Sequence, residues 1–380
     1  MKSEWKMCLL GDALTFQRGK DLPKNEMSGQ GYPVVGSNGI IGYHNKYNVE
    51  APCLTVGRSG NVGLPYLIHG RAWAHNTTLY VKEFKLIDPI FAYYLIKAMQ
   101  LGFYAGGSAV PTLNRNHIHL LEICIPSLPS QRKIASILSS LDDKIENNNA
   151  ICKNLEEQAA ALYKSWFVDF EPYKGRRPEE WKVVKLSEVA AKISDGVHNT
   201  IVDVADSYYY LLSCKNIVGG QLKITDNERR IGKRDFMRLR KRTQLSRGDI
   251  LLSSVGTVGE LVLLREEPEN FEFQRSVAII KANSDLVSPD YLFWTLRNMQ
   301  AAIRAAAHGA VQQCLFLGDI ANFDILLPTK EAVNKFNLLI AGQGNKIALL
   351  EDENKRLASL RDILLPKLMS GELEVDKVAI

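Results

Sequence analysis

A chain of 380 residues, 46% of them hydrophobic, can fill more than one core, and a few hundred residues ordinarily divide into about two domains. No apolar run reaches membrane-spanning length and the opening MKSEWKMC has no secretory stretch, which argues against a membrane partner and for a cytoplasmic protein. A formal net charge of +5 is modest, so attraction to a polyanion must come from local patches.

In chain order, the sequence repeats itself. Trp5, Lys6 and Leu10 recur as Trp181, Lys182 and Leu186, and the segment from Pro52 to Gly63 recurs from Gly248 to Gly259. Pro89, Phe91, Tyr94 and Gln100 recur as Pro289, Tyr291, Trp294 and Gln300, and Gly107, Leu113, Ile118 and Pro126 as Gly309, Leu315, Ile320 and Pro328. The spacing between the copies widens by about 20 residues before Gly248, so the second copy carries an insertion there. This divides the chain into a first domain over 1–128, a helix over 129–170, a linker over 171–180, a second domain ending at 328, and a final helix with its tail over 329–380.

Each domain reads as short strands and turns with one clear helix, from Pro89 to Gln100 in the first copy. Cys53 to Val56 and Ile250 to Ser253 have the composition of buried strands, and Gly57, Gly60, Gly63, Gly256 and Gly259 mark the turns beside them. No G-x-x-x-x-G-K-[ST] or G-x-G-x-x-G occurs, so these glycines carry no nucleotide-cradle pattern. Cys8, Cys53, Cys124, Cys152, Cys214 and Cys314 form no C-x-x-C pair and read as reduced, packed thiols with no metal site.

The segments after the domains carry heptad spacing. In the first, Leu138, Leu141, Ile145, Asn148, Leu155 and Leu162 form the seam. In the second, it is formed by Ile340, Ile347, Leu350, Asn354, Leu357 and Leu364. Two such helices in one chain pair most simply as an antiparallel coiled coil, with Asn148, Gln343 and Asn354 fixing register at some cost in stability. The plainer alternative is that each helix covers its own domain. Against it stands length, since about 35 residues span about 50 Å at 1.5 Å per residue.

Within the insertion, Arg229, Arg230, Lys233, Arg234, Arg238, Arg240, Lys241, Arg242 and Arg247 face the single acid Asp235. Such a cluster suits phosphate contacts; the competing reading is a solvated helix face.

Several runs resemble the DNA-specificity subunit of type I restriction-modification enzymes. They are the run from Pro33 to Tyr43, Gly107-Ser108-Ala109-Val110-Pro111-Thr112-Leu113-Asn114-Arg115, Gln131 to Ala135 and Lys164 to Phe170. In the second copy the similar pieces are Gly248 to Gly259 and Leu364 to Gly371. The resemblance covers essentially the whole chain. It implies an α+β fold with two similar target-recognition domains in tandem, each followed by a long helix, the helices pairing as an antiparallel spacer. It implies double-stranded DNA as ligand, two adenine-N6 methyltransferase subunits and restriction/translocase subunits as partners, and S-adenosylmethionine, ATP and Mg on those partners with no cofactor on this chain. One departure is Gln312-Gln313-Cys314-Leu315-Phe316, which stands where the first copy has Pro111 to Arg115.

Base readout requires Arg, Asn, Gln or similar side chains reaching groove edges. In the first domain the candidates are Arg58 and Asn61 in the glycine turn, His75 and Asn76, and Asn114 and Arg115. In the second they are Ser254, Thr257, Gln274, Arg275, Gln312 and Gln313. Plainer roles stand beside them: His75 as a partly buried imidazole, Asn76 as a turn residue, Asn114 as a helix cap. No catalytic set emerges, because the chain has no Pro-Pro pair of the kind an adenine methyltransferase motif needs, and Asp142-Asp143 lies on the heptad helix. His69, His117, His119, His198 and His308 show no persuasive spacing to a nucleophile. The expected protein is a noncatalytic subunit reading an asymmetric, two-part DNA site; the alternative is a homo-oligomeric regulatory or architectural DNA-binding protein without a methyltransferase.

Overall fold

A computed structural model describes residues 5–107, 111–225, 227–309 and 313–375. It forms two compact units, one of residues up to Asn148 together with those from Glu353 on, the other Asn149–Asp352. Among the described residues no helix is long and apolar enough to cross a membrane.

In the first unit, strands Leu14–Arg18, Thr78–Phe84, Cys53–Gly57 and Pro65–Ile68 lie in that order as an antiparallel sheet. The middle strand Cys53–Gly57 is buried along its whole length, as an apolar run flanked by turn glycines should be. A second sheet orders Gly39–His44, Tyr32–Gly36 and Trp73–Ala74, with one antiparallel and one parallel pairing. Lys6–Leu9 pairs with Glu122–Ile125 and so ties the start of the domain to its end.

The second unit repeats this plan. Its four-stranded sheet runs Ala190–Asp195, Val277–Ala282, Ile250–Ser253 and Leu261–Leu263. Its three-stranded sheet runs Arg230–Ile231, Tyr209–Leu212 and Phe271–Phe273, and Lys182–Lys185 pairs with Asp324–Leu327. The inserted residues appear as an excursion after Leu212 and the helix Lys233–Thr243. Helices Pro89–Met99 and Pro289–Asn298 both start with proline at the first turn, behind Asp88 and Ser288 caps whose side chains accept main-chain N–H bonds, the chemistry that satisfies orphan donors at a helix start.

Two helices of 40 and 41 residues follow the domains, Leu128–Phe167 and Lys330–Ser370. Their pairing is antiparallel. In the first unit the Asn148 side-chain amide donates to Glu353 Oε2 at 2.8 Å and to Asn354 Oδ1 at 2.9 Å, and Arg361 reaches Asp142 at 2.5 Å. Tyr94 O–H also donates to Asp142, at 2.7 Å, joining the domain to the seam. In the second unit Cys152 packs with Ile347 and Leu350, flanked by Leu155. Of the remaining seam positions, Leu138, Leu141 and Ile340 are buried, and Ile145, Leu162, Leu357 and Leu364 are half-buried.

Each core draws on both helices. The first contains Ile134, Ile137 and Leu138 from one helix and Leu365, Leu368 and Met369 from the end of the other. The second contains Ala159, Tyr163 and Phe167 from the first helix's end and Ala332, Val333, Phe336 and Ile340 from the second helix's start.

A half-buried histidine braces the first sheet. His119 accepts the Phe16 main-chain N–H through Nε2 at 2.9 Å and stacks on the Phe16 ring at 5.9 Å. Burial, with Arg115 and Lys85 nearby, holds its imidazole below the ordinary histidine range.

Two outcomes follow from this packing. Leu368→Ala is expected to cost about 2–5 kcal/mol, the range for a fully buried leucine, and hydrogen exchange should place the loss in residues 10–96 of the first unit; a loss confined to 181–328 would contradict the shared core. Because the folded pKa of His119 lies below its unfolded value of about 6.5, its stabilisation is fully present above that pH and is lost as pH falls below it. Urea midpoints at pH 7.5 and 5.5 should therefore differ more in the wild type than in His119→Gln.

Candidate nucleic-acid interface

Main-chain hydrogen bonds gather four loops at one end of the first domain. The Arg58 N–H donates to the Thr77 carbonyl at 2.8 Å, and the Arg58 carbonyl accepts the Leu113 N–H at 2.9 Å. Gly106 and Thr112 exchange bonds of 3.1 and 2.9 Å, and the Lys20 N–H donates to the Ala74 carbonyl at 2.9 Å. The turn from Gly57 to Gly63, the segment 75–78, the strand exit at 19–21 and the pieces 106–107 and 111–115 are thereby fixed to one another.

The second domain repeats the stitching. The Ser254 N–H donates to the Ser276 carbonyl at 2.9 Å, the Ser254 carbonyl accepts the Leu315 N–H at 2.8 Å, and His308 and Cys314 exchange two bonds of 2.8 Å. Val197 bonds the Phe273 carbonyl at 2.8 Å and Arg275 bonds the Val197 carbonyl at 3.0 Å. The departing stretch thus keeps the main-chain clasp of the first copy, because these bonds need no particular side chain. Gln312 lies outside the described residues, as do Ser108, Ala109 and Val110; Gln313 is exposed, and its carbonyl accepts the Gly256 N–H at 2.9 Å.

Side chains on these loops divide into held and free. His75 Nδ1 sits 3.1 Å from Thr77 Oγ1 and its Nε2 3.6 Å from Asp21, while the Asn76 amide donates to Asp21 at 2.5 Å. Asn114 caps the Asn116 N–H at 3.0 Å, so the cap reading of that residue holds alongside its exposure. Asn61 and Arg115 are exposed. Arg58 lines an open cleft of 650 Å³ together with Gln17, Arg18, Arg115 and His117. Burial, with Arg18 beside it, lowers the Arg58 guanidinium from its ordinary value. In the second domain Ser254 is 3% exposed, with its hydroxyl 3.5 Å from the Arg275 carbonyl, so it braces the loop from beneath. Thr257 and Arg275 are exposed, and Gln274 and Arg275 line a cleft of 280 Å³ with His198, Asn199, Thr200 and Arg229.

The basic run does not act as one patch. Arg229 pairs with Asp203 and donates to the Ile201 carbonyl, and Arg230 donates to the Ser207 carbonyl and stacks over Tyr210. Arg240 pairs with the fully buried Glu272 at 2.5 Å and lies over Phe236, while Arg242 holds the carbonyls of Asp195 and Gly196. Arg238 pairs with Asp235. Lys233, Arg234, Lys241 and Arg247 are exposed, and among the described residues none of these four side chains has a carboxylate partner.

Gln17 and Arg18 escaped the sequence reading. The signal was present, because Leu14-Thr15-Phe16-Gln17-Arg18 alternates as a half-buried strand and Gly19, next in line, recurs as Gly196. Both glycines sit where another backbone passes: a Cβ on Gly19 would lie 2.1 Å from the His75 carbonyl oxygen, and one on Gly196 2.0 Å from that of Phe273. Among the described residues no group of three or more His, Cys, Asp or Glu is placed to hold a metal.

Known proteins align with this architecture. The model of the type I restriction modification DNA specificity domain matches twice, over residues 2–157 and 178–350. The MjaIX specificity subunit of a type I restriction enzyme from Methanocaldococcus jannaschii is 27% identical over 76% of this chain and 70% of its own length. The HindI specificity subunit from Haemophilus influenzae is 24% identical over 87% of this chain and 82% of its own. The crystal structure of a type I restriction-modification S subunit from M. genitalium superposes with a TM-score of 0.59 at 17% identity, covering 96% of each chain, which is a likeness of fold.

Gly196→Ala should destabilise the second unit by about 1–3 kcal/mol, the usual cost of overpacking, whereas Gly70→Ala, which meets nothing within 4 Å, should be nearly neutral. Equal urea midpoints for the two variants would show that the crossing at Gly196 is free to shift.

Proposed function

Since the chain belongs to the type I restriction-modification DNA specificity family, we propose that each of its domains reads one half of a split, asymmetric DNA site. The observation that carries this reading is the repeated clasp: the same main-chain bonds in both domains hold different side chains outward. A shared frame gives both domains one way of meeting the duplex, and unlike side chains, Asn61, Asn114 and Arg115 against Thr257, Gln274, Arg275 and Gln313, give unlike half-sites. Lys233, Arg234 and Lys241 suit phosphate contacts that position the second domain without reading sequence. The paired helices serve as the spacer that sets the number of unread base pairs.

On this reading the chain contributes recognition, and chemistry belongs to its partners in the cytoplasm. Two methyltransferase subunits carry S-adenosylmethionine and methylate adenine N6 on a base turned out of the stack, and restriction subunits use ATP and Mg. The chain is their scaffold.

The test is a single-molecule adenine methylome of a methylation-free host carrying this chain with the methyltransferase encoded beside it, compared with the methyltransferase alone. A two-part, asymmetric motif that appears only with this chain is the expected result. No motif from soluble, associated proteins would refute the assignment.

A further inference from the structure

We propose, building on the DNA-recognition reading above, that the cleft between Arg18 and Arg58 seats a phosphate of the DNA backbone, and that the second domain has given up the equivalent seat.

The sheet register puts the two arginines on either side of one floor residue. Arg18 pairs with Leu79 on one flank and Leu79 with Val56 on the other, and residues directly opposite in antiparallel strands share a face. Arg58 follows Val56 by two residues, so it rises on the same side. Leu79 and Leu113 line the space between them and Arg115 stands at its rim, with no carboxylate among the lining residues. Among the described residues none of these arginines makes an ion pair. Burial first, and crowding by the like charge of Arg18 second, lower the Arg58 guanidinium. An anion between the two would relieve that crowding and accept hydrogen bonds from both forks.

Shape selects which part of DNA enters. Base edges lie at groove floors and are reached by protruding side chains, whereas the sugar-phosphate ridge is convex and fits a concave seat. Arg58 is thereby moved from base readout to backbone grip.

The second domain keeps the register and reverses the charge. Asp195 pairs with Ala278 and Ala278 with Leu252, matching Arg18, Leu79 and Val56, so Asp195 stands where Arg18 does and Ser254 where Arg58 does. His308 replaces Gly106 in the exchange of main-chain bonds. Its ring stacks on Phe316 at 5.7 Å and bonds Asp319 at 3.2 Å, so an aromatic pair and an acid stand at the positions that match Gly106, Asn114 and His117. Lys233, Arg234 and Lys241, exposed cations of that domain, stand instead on the inserted helix, which the first domain lacks.

The experiment is titration of the full chain with labelled duplexes over a salt series, one carrying the motif found in the methylome and one scrambled. Arg18→Ala and Arg58→Ala should each weaken binding about tenfold on both duplexes alike. Each should also flatten the slope of log affinity against log salt by about one and leave the methylated motif unchanged. Arg58→Lys, which keeps charge and bulk, should restore the slope, and His308→Ala should leave it as in the wild type. A relaxed base in the first half-site with an unchanged slope would assign Arg58 to a guanine and overturn the proposal; no effect on binding would overturn it too. A wild type that does not distinguish the two duplexes would instead be failure of the recognition reading.

Discussion

Neither core of this protein is closed by its own stretch of sequence. The first needs Leu365, Leu368 and Met369 from the far end of the chain, and the second needs Ala159, Tyr163 and Phe167 from the helix that follows the first domain. The antiparallel pairing of the long helices supplies both. Buried Asn148 sits at the change-over between the units, and its bonds to Glu353 and Asn354 penalise a slipped register, since a shift would leave a buried amide without partners. Even the chain's start depends on this arrangement, because Trp5 packs against Gly371, where a Cβ would lie 2.9 Å from the indole.

Main-chain bonding is what lets the loops vary. Arg58 and Ser254 have nothing in common as side chains, yet each donates to one neighbouring loop and accepts from another with nearly equal distances. Thr112 and Cys314 are likewise interchangeable in that clasp. A protein whose task is to present different readout groups from one frame gains from bonds that are blind to side-chain identity, and the cost of ordering the loops is then met once for every sequence they carry. The exceptions are the glycines at close approaches, where any side chain would collide.

Periodicity and repetition were legible in the sequence because both are local: the heptad seam, the copies and the insertion can be found by counting. The four- and three-stranded sheets then recur with the same order, which duplication implies. Less legible was whatever depends on register between distant strands. Arg18 faces Arg58 only because Leu79 lies between their strands, and no spacing in the sequence says so. The run from Arg229 to Arg247 read as one basic patch, but Arg240 is claimed by Glu272, Arg229 by Asp203 and Arg242 by carbonyls at the end of a strand. Long-range pairing of this kind removes charge from the surface without leaving a local trace.

The inserted helix shows how such pairing and surface presentation work together. Phe236, Leu239 and Thr243 bury one face, and the Thr243 hydroxyl and the Arg240 guanidinium both bond the Glu272 carboxylate. Burial pushes that carboxyl up, so the bonds from Arg240 and Thr243 are what keep a charge tolerable there, and a lone buried carboxylate would cost several kcal/mol. The result is a helix whose rotation is pinned from beneath. Lys233, Arg234 and Lys241 are therefore held outward by contacts they do not themselves make, so substituting them alters what the surface offers a polyanion while leaving the packing that orients it untouched.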